Sequence, residues 1–334
     1  MAKAVILFAS ASLLLIGASA DAAAQTAADV CLPDTECMMS VRDHALLQVG
    51  APSMSAADLD ELSFAEGPIE WSASGATVGA GHWCQTSAPS DGWSLKHCSA
   101  DSDAGHEIKV LTYNLYWWNL FGWQFRNGNG GSAGKLIAST GQGKPYDFMG
   151  FQECEDVDRV LQDASLTGQY GSIEAEHAIA IAYRKVAWEL LDHGMREVAE
   201  DKPEQWWGKR GAQWARFRHK SNGKTVLFVN HHGPLPVGSG GQCGPHGTAY
   251  NILHTIAAHA QDGDGIVLVG DFNSDAGTEE VRELESRLHK VYTGRSFGGV
   301  DHIFSNCGAT HVVEARNLGD GGSDHDALDV VIKL

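Results

Sequence analysis

From Glu107 onward the chain alternates short apolar runs with amphipathic stretches, and this alternation limits its fold more than any other feature. The apolar runs cover residues 108–113, 148–151, 178–183, 225–229 and 266–269, each of strand length and bounded by polar or turn residues. Between them, residues 155–165, 248–260 and 278–288 read as helices. In the second of these, Ile252, Ile256 and Ala260 recur every fourth residue and form one apolar stripe. Strands interleaved with helices build a layered α/β domain, here assigned to residues 107–334. An apolar share of 43% and a charged share of 20% are globular proportions, and 39 Gly with 9 Pro exclude a collagen-like or low-complexity chain.

The residues ahead of Glu107 have a different character. Met1-Ala2-Lys3, the apolar run from Val5 to Ile16 and the small residues Ala18-Ser19-Ala20 read as a cleaved secretory signal over residues 1–20. That run is too short to span a bilayer, so an exported protein is expected. Residues 21–106 are acidic, with Arg42 and Lys96 as their only Lys or Arg, and read as a partly ordered or propeptide-like segment with a short helical candidate at residues 56–64. Export makes the seven cysteines disulfide candidates, and an odd number leaves one without a partner in the chain. Cys31–Cys37 and Cys84–Cys98 are the simplest local pairings, and Cys154 is the expected free thiol. No Cys-x-x-Cys occurs, which argues against a zinc framework.

Polar residues follow the apolar runs with notable regularity. Asn114 comes after the first, Gln152-Glu153 after the second, Asn230-His231-His232 after the fourth and Asp271-Phe272-Asn273 after the fifth; Asp301 and Asp324-His325 stand beyond. One such residue is ordinary turn chemistry, but six groups of carboxylate, carboxamide and imidazole are more than turns require. Oxygen donors without thiolates favour Mg²⁺, with Mn²⁺ or Ca²⁺ as alternatives, over zinc. Water attacking phosphorus needs an orienting carboxylate, a cation and donors for the developing charge, and these residue types supply all three. Acyl transfer fits less well, because the chain has no Gly-x-Ser-x-Gly elbow.

Asn114, Gln152-Glu153, Asn230-His231-His232, Gly270-Asp271-Phe272-Asn273-Ser274, Asp301-His302 and Ser323-Asp324-His325, in that order, resemble the motif set of the endonuclease/exonuclease/phosphatase superfamily, with its deoxyribonuclease I-like fold. The resemblance spans about residues 107–334. It implies a four-layered α/β sandwich, two packed mixed β-sheets flanked by helices, with a site at one rim. Glu153 would hold a divalent cation with Asn114 and Asp324 near it, and Asp271 would orient the attacking water. Asn273 would steady the phosphate or Asp271. His325, paired with Asp301, would contact the scissile phosphate and protonate developing charge, and His232 would face the phosphate from the other side. His231, the structural neighbour of His232, is a further phosphate-contact candidate.

Departures from the superfamily's branches bear on substrate. Glu155 stands where duplex-cutting members carry Arg, and Gly-Asp-Phe-Asn-Ser differs from the Gly-Asp-Leu-Asn-Tyr-Arg of inositol polyphosphate phosphatases. Ser323-Asp324-His325-Asp326-Ala327-Leu328 is similar to the closing motif of secreted sphingomyelinases. No Asp or Glu occurs between Glu204 and Asp262, where Lys209, Arg210, Arg216, Arg218, Lys220 and Lys224 fall. This segment is either a solvated basic strand pair or an anion-facing patch; on the second reading Arg216 and Arg218 join the phosphate-contact candidates. Aromatic clusters at residues 116–123 and 206–207 would stack unpaired bases, enter a lipid surface or plug a loop. The expectation is a secreted, metal-dependent phosphodiesterase, foremost a nuclease without duplex specificity. A sphingomyelinase-type phospholipase C and a catalytically idle binding module on the same fold are the alternatives. Nothing in the sequence calls for an obligate protein partner.

Overall fold

The computed structural model describes residues 83–90, 105–116, 132–205 and 208–334. The expected signal, most of the acidic segment, Cys31, Cys37, Cys98, the aromatic residues 117–123 and the pair Trp206-Trp207 lie outside them.

The described strands form two six-stranded sheets. In the first, β1 (Glu107–Asn114) runs parallel to β2 (Phe148–Gln152) and antiparallel to β12 (Leu328–Lys333). β11 (Val312–Asn317) lies beyond β12, and β4 (Ile179–Arg184) then β3 (Tyr170–Ala175) lie beyond β2. The second sheet runs in the order β5 (Trp188–Glu200), β6 (Lys209–His219), β7 (Thr225–His232), β8 (Gly265–Asp271), β10 (Asp301–Ser305) and β9 (His289–Thr293).

Alternation along β1 shows how the layers assemble. Ile108 and Val110 point into a core between the sheets, where they meet Phe148, Phe217, Phe228, Val269 and Ile303. Leu111 and Tyr113 point outward, onto Ile137 of α1 (Ser132–Thr140) and Val160 of α2 (Val157–Asp163). Outside the second sheet, Leu227, Val229 and Leu268 meet Ile252 and Ile256 of α3 (Gly244–His259) and Val281 of α4 (Glu279–Glu285). Strands covered on both faces read as continuous apolar runs, which is why the central ones were legible. β5 was not: its half-exposed residues follow no such run. Helix starts are local: Asp156 accepts from Arg159 N at 2.9 Å, and Thr278 from Val281 N at 3.3 Å.

Strand direction gathers the polar residues. β1–β2 and β7–β8 are parallel pairs, each bridged by a segment containing a helix, so the ends of all four strands reach one rim. There Asn114 stands opposite Gln152, and His232 opposite Asp271. β10 runs antiparallel to β8 and so begins at the same rim, with Asp301 opposite Asp271. The closeness of the β7 and β8 backbones also explains Gly233: a Cβ there would lie 1.8 Å from the Phe272 carbonyl oxygen.

The cysteines correct one expectation. Cys84 bonds to Cys243, not to Cys98, and so staples residues 83–90 to the start of α3. The same segment hydrogen-bonds through Gln85 N to Asn251 Oδ1 (3.1 Å) and through the Pro89 carbonyl, which accepts from Arg287 (3.2 Å). Adjacency in sequence misled because the cysteine that Cys84 meets in space stands 159 positions away, at the start of α3. Cys307 is also disulfide-bonded. Cys154 is free and buried, and burial raises its thiol, so it is inert at neutral pH.

Candidate active site

The site is built around the carboxylate of Asp271 at the end of β8. Its Oδ1 accepts the Asn273 backbone N–H at 2.9 Å, and its Oδ2 accepts Asn114 Nδ2 at 3.0 Å. His325 Nε2 lies 3.5 Å and His232 Nε2 3.7 Å from the same Oδ2. Burial alone would raise this carboxyl. The two imidazoles, with the Asn273 and Asn114 hydrogen bonds, more than compensate and hold it below the usual aspartate range. Asn273 carries its own side chain back to Gly233 O (3.1 Å), tying the loop after β8 to the end of β7.

His325 is held as an imidazolium. Its Nδ1 lies 3.0 Å from Asp301 Oδ2, and although burial disfavours the charge, Asp271 and Asp301 together push its pKa up to about 10. Burial pushes the Asp301 carboxyl in turn up to about 6, against the opposing pull of His325. His232 is the reverse case: burial, then the neighbouring Arg210 guanidinium, lower it to about 3, and it is neutral. One carboxylate oxygen is thus flanked by a charged and an uncharged imidazole.

Glu153 follows β2 in a left-handed conformation (φ 52°), as does Asn273 (φ 47°). For Glu this conformation costs roughly 1 kcal/mol. Asn114 Nδ2 reaches Glu153 Oε1 at 3.3 Å. Burial, then the charge of exposed Asp324, push the Glu153 carboxyl up to about 7. Carboxyl oxygens whose mutual repulsion raises a pKa suit a hard divalent cation, so Glu153 and Asp324 fit as donors. Asn114, expected beside them as a ligand, instead turns its Nδ2 to Glu153 and Asp271 and its Oδ1 to the Tyr116 N–H (3.0 Å), and so steadies the carboxylates. Asp271, Asp301 and His325 also bring ligand atoms within 4.8 Å of one another. There, however, the imidazolium engages Asp301 through Nδ1 and has no lone pair to give, and the trio is a cluster of ion pairs.

Three residues singled out in the sequence stand elsewhere. His231 turns to the opposite side of β7 from His232, donating from Nδ1 to Gly211 O (2.8 Å) and meeting Phe272 edge-on beneath the helix layer. Arg216 is locked in a bidentate pair with Asp264 (2.8 and 2.9 Å), just before β8 begins and so about 20 Å from the Asp271 end. Arg218 pairs with Glu189 at 2.7 Å on the exposed face. The segment without acids is therefore no phosphate track: Lys209 likewise pairs with Glu197 (2.7 Å), an acid brought from the adjacent strand.

Arg210, on the same strand, does reach the rim, with NH1 3.5 Å from His232 Nδ1. Sequence reasoning did not separate it from Arg216, because only strand direction tells the two apart. Buried Glu280 was also missed. Its Oε2 accepts the Ser274 hydroxyl at 2.9 Å behind the Asp271–Ser274 turn, and burial raises it to about 8. An acid in the first turn of a helix gives no sign of such burial.

A sequence profile of the Endonuclease/Exonuclease/phosphatase family matches residues 111–325. No curated protein matches the chain. Among solved structures, an endonuclease/exonuclease/phosphatase family protein from Bacteroides thetaiotaomicron is 20% identical with a TM-score of 0.55, over 68% of this chain and 98% of that one. The mannosyl-6-phosphatase of B. thetaiotaomicron VPI-5482 is 22% identical with a TM-score of 0.54, over 67% and 99%. D. rerio TDP2, complexed with single strand DNA product, is 13% identical with a TM-score of 0.50, over 68% and 99%. At these identities the likeness to the solved structures is one of fold.

Proposed function

The chain belongs to the endonuclease/exonuclease/phosphatase family and is a metal-dependent phosphoric ester hydrolase, and from that premise we propose that it is an exported phosphodiesterase cleaving nucleic acid without duplex specificity. The observation that carries the hydrolytic reading is the position of Asp271 Oδ2 between His325 Nε2 and His232 Nε2, with Asn114 donating to it. An ionised carboxylate fixed by hydrogen bonds from Asn114 Nδ2 and the Asn273 backbone, with two imidazoles beside it, is suited to orient a water and accept its proton. His325, charged and braced by Asp301, binds the phosphate and gives its proton to the leaving oxygen. His232 donates a hydrogen bond to a non-bridging oxygen from the opposite side. Mg²⁺ at Glu153 and Asp324, with Asn114 steadying Glu153 and with Mn²⁺ or Ca²⁺ as substitutes, would supply Lewis-acid stabilisation of the phosphate.

The exposed Glu155, two residues after Glu153, repels phosphate where a duplex-cutting relative would present Arg, and this favours single-stranded over duplex substrate. The neutralised Arg216 and Arg218 withdraw the electrostatic argument for long tracking along a strand, so a short contact around the scissile phosphate is favoured. Hydrolysis of single-stranded DNA, duplex DNA, RNA, a phosphomonoester sugar and sphingomyelin vesicles, side by side with Mg²⁺ and with Asp271→Ala as the blank, tests the proposal. Cleavage of single-stranded nucleic acid above the other substrates supports it; release of phosphocholine or inorganic phosphate alone overturns it.

A further inference from the structure

Arg210 and Asp201 form a buried pair beside the site that the hydrolytic scheme above does not use. Arg210 Nε donates to Asp201 Oδ1 at 3.0 Å and NH2 donates to Oδ2 at 2.9 Å, with Asp201 fully buried and Arg210 nearly so. This fork leaves NH1, which lies 3.5 Å from His232 Nδ1. Asp201 is itself held: its Oδ1 accepts Leu235 N at 2.7 Å, from the segment that follows His232. Two acceptors on one carboxylate therefore fix the guanidinium relative to the end of β7.

We infer that Arg210, oriented by Asp201, is a positioning residue that fixes His232 as the neutral tautomer with its proton on Nε2. A guanidinium has donors and no acceptor, so a ring nitrogen bonded to it must present a lone pair. Nδ1 is that nitrogen, and the proton is left on Nε2, the atom that faces Asp271 Oδ2 at 3.7 Å. The groups facing His232 are Arg210 from β6, Asp271 from β8, His231 beside it on β7 and His325 from the loop before β12. The nearest charge to Nδ1 is positive, which is opposite to the carboxylate that meets Nδ1 of His325.

The inference rests on the proposed hydrolytic role and divides labour within it. Two imidazoles flank one carboxylate oxygen. The one backed by Asp301 presents Nδ1 to a carboxylate at 3.0 Å, so that nitrogen carries a proton. The one backed by Arg210 is neutral and can only donate a hydrogen bond, because losing its remaining proton would leave an imidazolate. Lysine in place of Arg210 keeps the charge but cannot hold both Asp201 oxygens and His232 at once.

Long-range ¹H–¹⁵N correlation spectra of the full chain labelled at histidine, without added metal, test this directly; the spectrum of His232→Gln identifies the resonances. We expect His232 to show an unprotonated Nδ1 and a protonated Nε2 across about pH 5 to 8. Arg210→Met should replace that pattern with a mixture of tautomers and lower kcat about tenfold or more with little change in KM. Arg210→Met/Asp201→Asn, which strands no buried charge, should do the same if the single variant does not fold. A wild-type His232 with its proton on Nδ1, or one titrating to imidazolium within this window, overturns the inference, as does retention of the Nε2–H form in the double variant. The spectra need no substrate. A protein that hydrolyses none of the nucleic acids would therefore defeat the proposed substrate and leave the tautomer assignment to its own result.

Discussion

Gln152 of the first sheet donates from Nε2 to Asn230 Oδ1 of the second at 2.6 Å, inside the core and one residue short of the rim. Asn230 completes the bridge by donating from Nδ2 to the carbonyl oxygens of Phe151 (2.8 Å) and Ala180 (3.1 Å), both in the first sheet. The residues that follow each partner are Glu153 and His231-His232. The strut thus sets the spacing between the sheets where each delivers its polar groups. Gly150 leaves room for it, since a Cβ there would lie 2.9 Å from Asn230 Oδ1.

Asn230→Ala removes the acceptor for Gln152 and strands two buried carbonyls. The expected loss is about 2–4 kcal/mol of unfolding free energy, read from urea melts, with a fall in kcat beyond what the unfolded fraction explains. A loss below about 1 kcal/mol would mean that water or side-chain rearrangement satisfies the gap.

Asp271→Ala and His325→Ala should each lower turnover by roughly 10² to 10⁴ while circular dichroism and melting stay close to wild type. The two roles act in one proton inventory, so the double variant should fall little further than the worse single one. Activity within tenfold of wild type in either variant would remove the assigned roles.

Chelation should abolish hydrolysis, and added Mg²⁺ should restore it. Glu153→Gln keeps the size and the hydrogen-bond acceptor but removes the ligand charge, and it should raise the metal concentration needed for half-maximal rate. An unchanged metal requirement in Glu153→Gln would place the cation elsewhere.

Glu280 sets a pH dependence of stability. Its ordinary pKa is 4.5, and burial raises it to about 8 in the fold. Between these values the folded chain holds a proton that the unfolded chain has released, so this residue lowers stability as pH rises from about 4.5 to 8, and its cost is complete above that. Glu280→Gln keeps an acceptor for Ser274 and cannot ionise. Its advantage over wild type should therefore grow across that window, reaching on the order of a few kcal/mol. Parallel stability curves for the two proteins would show that Glu280 is ionised in the fold.

Cys84–Cys243 closes a loop of 159 residues in sequence separation. Cys243→Ser should cost up to about 5 kcal/mol in the chain-entropy account and raise the proteolytic sensitivity of residues 83–90. With Asp271 and His325 held by other contacts, kcat below the melting range should stay near wild type. A collapse of kcat in the folded variant would tie residues 83–90 to the site.

The sequence alone was enough for the layered architecture and for the rim residues, because both rest on local signals. Buried parallel strands read as unbroken apolar runs, and a polar group directly after such a run must emerge at the strand's end. Asn114, Glu153, His232, Asp271 and Asn273 were legible on that ground and converge as the strand directions require, whereas Asp301, which opens β10, and His325, in the loop before β12, were singled out by the resemblance to the superfamily's motifs. What tertiary structure alone decided was which charges meet. Arg210 and Arg216 share a strand and a residue type, yet one faces His232 and the other neutralises Asp264, because strand direction sends them toward opposite ends of the sheet. His231 and His232 are adjacent, yet a period of two turns them to opposite layers. The partner of Cys84, the burial of Glu280 and the opposite protonation states of the two site histidines likewise depend on residues far apart in the chain, whose approach no local pattern encodes.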